Sequence, residues 1–549
     1  MPENDTLRYL RRTSLTIAAV ALSTALASAR AADPSPQAAP RPDAPPTAPS
    51  GAPAPPSGTK RIVYVPESVK AEIRDELKKE VLEQAKAEGW ATPNEVPAWL
   101  RRFHFGGDVR VRFERILYPS GNANSGEFPD FNGINTGGRP FDVNFIDPAN
   151  QHYLDTDQNR TRPRLRTRFD VDVDVAEGFT SGLRLAVGDN NGPVTTTTLA
   201  STGNFSRYAF WLDRAFINLR LPLGGGSDVK VTFGRFENPF FATDLMWSDL
   251  VSMDGVELDA RLQLGDAFRP FGVIGAFPLY TTALDFATDQ TSKYPSIDKW
   301  LFAMQLGTDW KASDRIAVKL GAAFYYFSKV EGRISLPCDT NLSTTSCNTD
   351  VSRPAFAQKG NTYMPIRTPS DAALQAEAGG LSSQYQYFGL ASRFRDLELT
   401  GRVSYRVAPR LQATLEGEFV RNVGFSRAQI QPVALNNRGA CDAAGNCTQF
   451  VGGANGYLGR IIVGTPTQNK RWDWNVALDY RRLESDAVID AWVNPDFGLG
   501  GTNLKGYVIG AGLAVADGVW ASGRWLSAEA VAGPPYGVDI LQIDLLARF

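Results

Sequence analysis

Arg162, Arg164, Arg166 and Arg168 stand two residues apart and are the sharpest chemical signal in the chain. A strand sends alternate side chains to opposite faces, so all four guanidinium groups share one face while Leu165, Thr167 and Phe169 share the other. Four adjacent like charges repel in a dry or tightly packed setting. Facing water inside a lumen, they form a column of fixed positive charge that favours anions or the carboxylate group of a solute. The competing arrangement pairs each arginine across strands, and Asp108, Arg110, Arg112 and Glu114 offer suitable neighbours on an earlier alternating stretch. Arg110, Arg112 and the four ladder arginines are therefore the expected pore-lining residues.

Other chemistry is thinly represented. Cys338/Cys347 and Cys441/Cys447 form two close pairs, an even count that suggests loop disulfides in an exported protein. Sequence alone leaves their connectivity open. The chain has two histidines, His104 and His152, neither near a cysteine, and the cysteine spacings match no zinc pattern. No metal and no cofactor is expected. A Gly-rich phosphate loop between strand and helix, an iron–sulfur spacing and a Cys-x-x-Cys-His haem site are all missing. His152, with Asp147, Asp155 and Asp157 nearby, is the one candidate for hydrolase chemistry at a barrel rim. A lone loop histidine is far more often solvated, so the expectation is a protein that is not an enzyme.

The elements that must position the ladder read as long strands. Beyond residue 32 no stretch approaches the roughly 18 apolar residues of a spanning helix. Alternation of period 2 runs through Val109–Phe113, Leu165–Val175, Val256–Leu264, Leu411–Phe419 and Trp472–Tyr480. It also runs through the last nine residues, where Leu541, Ile543, Leu545 and Ala547 alternate with a mostly polar set that includes Gln542 and Asp544. The pattern places strands near 107–117, 162–176, 181–189, 208–221, 227–235, 253–265, 269–280, 299–311, 314–328, 397–407, 410–423, 468–483, 486–494, 503–516, 518–531 and 538–549. Gaps between them alternate short and long: Glu177 to Thr180, Ala312–Ser313 and Asp517 against Tyr118 to Thr161, Lys329 to Asp396 and Gly424 to Thr467. Short turns on one side and long loops on the other describe an all-β transmembrane antiparallel β-barrel of about 16 strands. A soluble β-sandwich would require neither strands of this length nor this rule for loop lengths.

Before the barrel, residues 1–31 carry Arg8, Arg11 and Arg12, an uncharged run and small residues up to Ala31, the form of a secretory signal peptide. Residues 32–60 are a Pro/Ala-rich linker, an extended or disordered periplasmic tether. Residues 61–103 hold an amphipathic helix from Pro66 to Glu88, with Val69, Ile73, Leu77, Val81 and Ala85 in one stripe. That stripe needs either a coiled-coil partner or the base of the barrel, which is assigned to 104–549. A net charge of −2 argues against a nucleic-acid partner.

With these features in place the chain resembles the porins of the bacterial outer membrane. The resemblance is carried by the signal segment, Tyr64-Val65-Pro66-Glu67, Gly107 to Arg112, Gly234 to Phe240, Asp254 to Glu257 and the terminal Phe549. It implies a water-filled channel for passive diffusion of small hydrophilic solutes, here with a weak anion preference from the ladder. It also implies residence in outer-membrane lipid, reading of Phe549 by the barrel-assembly machinery, and a homo-trimer. By position, Glu237 to Asp249 resembles the loop that folds inward and narrows the pore, so Glu237, Asp244 and Asp249 are expected to face the arginines across a constriction. A barrel hydrolase and a structural barrel tethered to peptidoglycan through the N-terminal segment are the alternatives.

Overall fold

The computed structural model describes residues 99–188, 192–282, 296–379, 382–439 and 449–549, together with Glu76, which is helical. The signal segment, the linker and all but that one residue of the expected helix lie outside the described residues, as do Cys441 and Cys447.

Sixteen long strands build the ring. The first eight are β1 (Phe103–Leu117), β2 (Arg160–Ala176), β3 (Phe179–Val187), β4 (Phe210–Gly224), β5 (Ser227–Glu237), β6 (Ser252–Arg261), β7 (Phe268–Tyr280) and β8 (Lys299–Lys311). The remaining eight are β9 (Ile316–Ser328), β10 (Arg395–Ala408), β11 (Leu411–Asn422), β12 (Asn455–Gly464), β13 (Trp474–Leu483), β14 (Leu504–Ala516), β15 (Val519–Ala530) and β16 (Gly537–Arg548). Each pairs antiparallel with its neighbour in sequence, and β1 pairs with both β2 and β16, which closes the sheet. Closure leaves no unpaired edge, the condition for backbone to cross hydrocarbon. Phe549 extends the last pairing, exchanging backbone hydrogen bonds with Gly107 at 3.1 and 3.2 Å.

Alternation sorts the two faces. Val111, Phe113, Leu306, Leu399, Leu415, Ile461, Leu478, Ile509, Ile543 and Leu545 point outward and are exposed, Leu306 to 63%. An apolar surface running right round a ring is out of place in water and suits lipid. Aromatic rings join it, with Tyr457 and Tyr480 at 6.4 Å and Trp300 and Phe302 at 6.0 Å between centroids. Inward positions carry the charges, among them Asp108, Arg112 and Glu114 of β1 and the arginines of β2.

The longer loops are not simply polar. Phe131, Ile134 and Phe141 from the first, Phe240 to Val251 from the third, Tyr363, Ile366 and Phe388 from the fifth and Ala487 to Val493 from the seventh share one buried apolar cluster. They pack against the lumen side of the outer strand ends, such as Phe277, Leu301, Tyr325 and Phe327. Strands β8 and β9 are consequently apolar on both faces there, as in a sheet covered on both sides.

Two expected strands need correction. The segment 486–494 is not a strand: it lies in the seventh outer loop, with Ala487, Val488, Ile489, Ala491 and Val493 buried in the loop cluster. Its alternation comes from packing inside the mouth, not from a ladder. The missed strand is β12, inside the stretch read as one long loop from Gly424 to Thr467. Leu458 and Ile462 place apolar side chains on its inner face and three glycines interrupt it, so no period-2 contrast survives. Strand β13 also starts later than expected, at Trp474.

Candidate functional site

Antiparallel register sets the ladder of β2 directly against the inward charges of β1: Arg168 opposite Asp108, Arg166 opposite Arg110, Arg164 opposite Arg112 and Arg162 opposite Glu114. The pairs that result are diagonal as well as direct. Asp108 accepts from Arg166 at 2.9 Å and Arg168 at 2.5 Å, and Glu114 accepts from Arg162 at 2.5 Å and, more loosely, from Arg164 at 3.4 Å. Arg112 is sealed in the wall, gripped at both edges: Asp544 of β16 accepts from its Nε at 2.6 Å and Nη2 at 2.9 Å, and Asp496 from its Nη1 at 2.7 Å. Asp496, from the seventh outer loop, also meets Arg524 of β15 at 3.0 Å and Arg164 at 3.5 Å. Burial alone would raise its carboxyl; Arg112, Arg524 and Arg164 hold it well below the ordinary carboxylate range. The wall thus collects seven arginines (110, 112, 162, 164, 166, 168 and 524) against four carboxylates (Asp108, Glu114, Asp496 and Asp544).

The segment 238–251 crosses the inside of the ring. It leaves β5 and returns to β6 beside Gly234 and Gly255, which face each other in the ladder with φ of 115° and 141°, a backbone bend that a side chain would oppose. Inside the ring it is pinned first to β8, two strands along from β6, where Gln305 accepts from Phe241 N at 2.7 Å and donates to Phe241 O at 2.9 Å. Glu418 of β11 accepts from Thr243 N at 2.5 Å. Asp244 accepts from Arg460 Nη2 of β12 at 2.5 Å, from Arg481 Nη2 of β13 at 3.1 Å and from Asn494. Burial disfavours the Asp244 carboxylate, but Arg481 and Arg460 more than reverse this and keep it well below the usual range.

Asp244 therefore does not face the ladder as expected; the inward fold of the segment carries it to β12 and β13. Glu237 lies against Arg214 at 2.9 Å, and Asp249 borders the same cavity as Arg110 and Arg164 and acts electrostatically on Arg166. The β10–β13 wall has the opposite balance, with Arg402, Arg460 and Arg481 against Asp396, Glu398, Glu416, Glu418, Asp479 and the incoming Asp244. Between the walls lies a cavity of about 550 Å³ bordered by Arg110, Arg164, Glu237, Asp244, Asp249, Arg402, Arg460 and Arg524. Glu237 also borders a second cavity of about 440 Å³, with Asp172, Arg184, Lys230 and Glu257.

Sequence reasoning missed Arg460, Arg481, Arg524, Asp479 and Asp496. Arg460, Arg524 and Asp496 are single charges in otherwise apolar or glycine-rich stretches, Asp479 and Arg481 read only as the polar face of one strand, and register alone brings the five together. In the first outer loop, His152 Nε2 is buried without a partner, while Asp147 is taken up by Ala149, Asn150 and Tyr385. A histidine–aspartate contact forms elsewhere, His104 with Asp174 at 3.0 Å on an exposed part of the short-turn end. Cys338 and Cys347 form a disulfide within the fifth outer loop.

Among solved structures the chain is similar to the outer membrane channel DcaP of Acinetobacter baumannii, at 9% identity over 81% of this chain and 97% of that one, with a TM-score of 0.37. It is also similar to OprB of Pseudomonas putida, at 11% identity over 82% and 94% of the two chains, TM-score 0.40. A third is OmpT, an outer membrane protein of Vibrio cholerae, at 8% identity over 81% and 97%, TM-score 0.35. No curated protein matches the chain at a significant level. A family model described as "Putative porin" matches residues 17–549. With a closed ring, an apolar belt and a charged lumen already established, the chain belongs to that family of bacterial outer-membrane porins.

Proposed function

We propose that the protein is a passive, water-filled channel for small hydrophilic solutes, narrowed where the segment 238–251 crosses the ring. The observation that carries this reading is the charged cavity of about 550 Å³ between the arginine-rich and carboxylate-rich walls. Its border holds six arginines (110, 164, 402, 460, 481 and 524) and six carboxylates (Glu237, Asp244, Asp249, Glu416, Asp479 and Asp496). Such a balance makes selectivity weak and sets a transverse field instead of a net one. We assign the residual preference to anions, because Arg110 has no carboxylate within ion-pair distance among the described residues. In this reading Arg162, Arg164, Arg166 and Arg168 with Arg110 and Arg112 form the pore wall, Asp244 and Asp249 belong to the constriction loop, and Glu237 stands at the end of β5 where that loop begins.

The N-terminal segment is assigned to the periplasm, where its helix joins copies of the chain in a homo-trimer and meets peptidoglycan; Phe549 is the contact for barrel assembly. Two measurements test the channel reading. Liposomes containing the protein swell in small sugars, amino acids and dicarboxylates, and not in large oligosaccharides; no swelling in any of them refutes it. Reversal potentials in a salt gradient show a small anion preference that moves toward cations in Arg164→Ala/Arg166→Ala. An unchanged potential removes the ladder from the selective part.

A further inference from the structure

The arginine-rich wall contains donors that the fold leaves unused. Arg110 donates from Nη2 to Thr196 Oγ1 at 3.3 Å; its Nε is buried without an acceptor, and its Nη1 bonds to nothing among the described residues. Among the described residues Arg164 uses only Nη1, in two long contacts of 3.4 Å to Glu114 and 3.5 Å to Asp496, while its Nε is buried unpartnered. Beside them Thr196, which accepts from Arg110, borders the same cavity. This threonine is held there because β3 stops at Val187, and the two-residue strand Thr197–Thr198 takes its place against Leu165 and Arg164. Leaving buried donors unmade is costly, and the cost is recovered when an acceptor arrives. Both guanidinium groups border the same cavity, whose wall continues into Val508, Leu526 and Val251.

We infer that this corner is a binding subsite for a small organic acid, a carboxylate carried on an apolar body. The carboxylate lies against the open edges of Arg110 and Arg164, where charge-assisted hydrogen bonds are strongest. The apolar body lies along Val508, Leu526 and Val251. Free inorganic phosphate shares the anionic chemistry but gains nothing from that apolar wall.

The inference rests on the channel reading, so its test uses equilibrium binding, which reads the subsite whether or not the barrel conducts. Titration calorimetry on the full chain in detergent uses benzoate, its neutral counterpart benzamide, and inorganic phosphate as probes. Benzoate binds in a saturable way, benzamide shows no heat, and phosphate, which makes no apolar contact, binds at least about tenfold more weakly. Arg110→Gln weakens benzoate by about tenfold. Arg110 holds no carboxylate, so this change strands no buried charge. Arg115→Gln alters the same formal charge on the outward face of β1 and leaves benzoate binding unchanged. Equal binding of benzoate and benzamide, equal binding of phosphate and benzoate, or an Arg110→Gln protein that binds like the wild type overturns the proposal.

Discussion

Replacing Asp244 by Asn isolates the anchor that holds the crossing segment to the far wall. The carboxylate accepts from Arg460 at 2.5 Å and Arg481 at 3.1 Å. Charge-assisted bonds of this kind contribute about 1.5–3 kcal/mol each. The two arginines are not stranded by the change, since Asp479 lies 3.1 Å from both and Glu416 3.4 Å from Arg460. The loss therefore sits near the low end, about 3 kcal/mol for the two contacts, a factor of about 150 in the population of the detached segment. Gln305 and Glu418 still grip Phe241 and Thr243, so residues 244–251 loosen while the segment's start stays in place. Single-channel recording of Asp244→Asn shows flicker between two conductance levels where the wild type shows one. A pH series adds a second check. The native carboxyl is held below its unfolded value of 3.8, so the anchor is fully present above that value and is lost only as pH falls through the depressed native one. Wild-type traces consequently stay quiet from pH 7 to about pH 4. A variant trace indistinguishable from wild type refutes the assignment of the segment as the constriction.

The outer loop cluster gives the opposite pH sign: burial raises Asp486 and Asp490 from 3.8 to about 6, so their contribution is full below 3.8 and is lost as pH rises through about 6. At most this is on the order of 3 kcal/mol per group, and amide exchange, corrected for intrinsic rates, shows protection in 484–503 falling between about pH 4 and about pH 6.5. Asp486→Asn keeps an acceptor for Thr362 and flattens that profile; an unflattened profile contradicts it. Breaking the Cys338–Cys347 bond by Ser replacement lowers the local stability of the fifth loop by roughly 2–3 kcal/mol, read as faster proteolysis there with the barrel intact. Peptide mapping under non-reducing conditions also places Cys441 with Cys447. Deleting residues 33–90 weakens the oligomer in detergent, and an oligomer that survives unchanged means the barrel walls hold it.

Much of the barrel was legible because lipid outside and water inside impose period 2 on almost every strand, from Val109 to Ala547. The count of sixteen agrees even though one strand was misplaced, because the omission of β12 and the inclusion of 486–494 offset each other. Both errors share a cause. Alternation reports the polarity on two sides of a segment and says nothing of which strand it pairs with. Leu458 on β12 faces inward against the packed loops, so its neighbours lost their contrast. Val488 and Ile489 gained an alternating appearance inside that same packing. The ladder was visible as spacing, but its partners were not. Arg112 meets Asp544 across 432 residues and Asp496 across 384, a closeness created by ring closure and loop return.

The central claim is that the ring encloses a water-filled path, and a planar lipid bilayer tests it most directly. Purified full-length protein added at low concentration in potassium chloride inserts in discrete, equal current steps, each proportional to voltage at low potentials. Protein that inserts, as shown by its recovery from the bilayer lipid, yet carries no current across a range of salt and voltage contradicts the account.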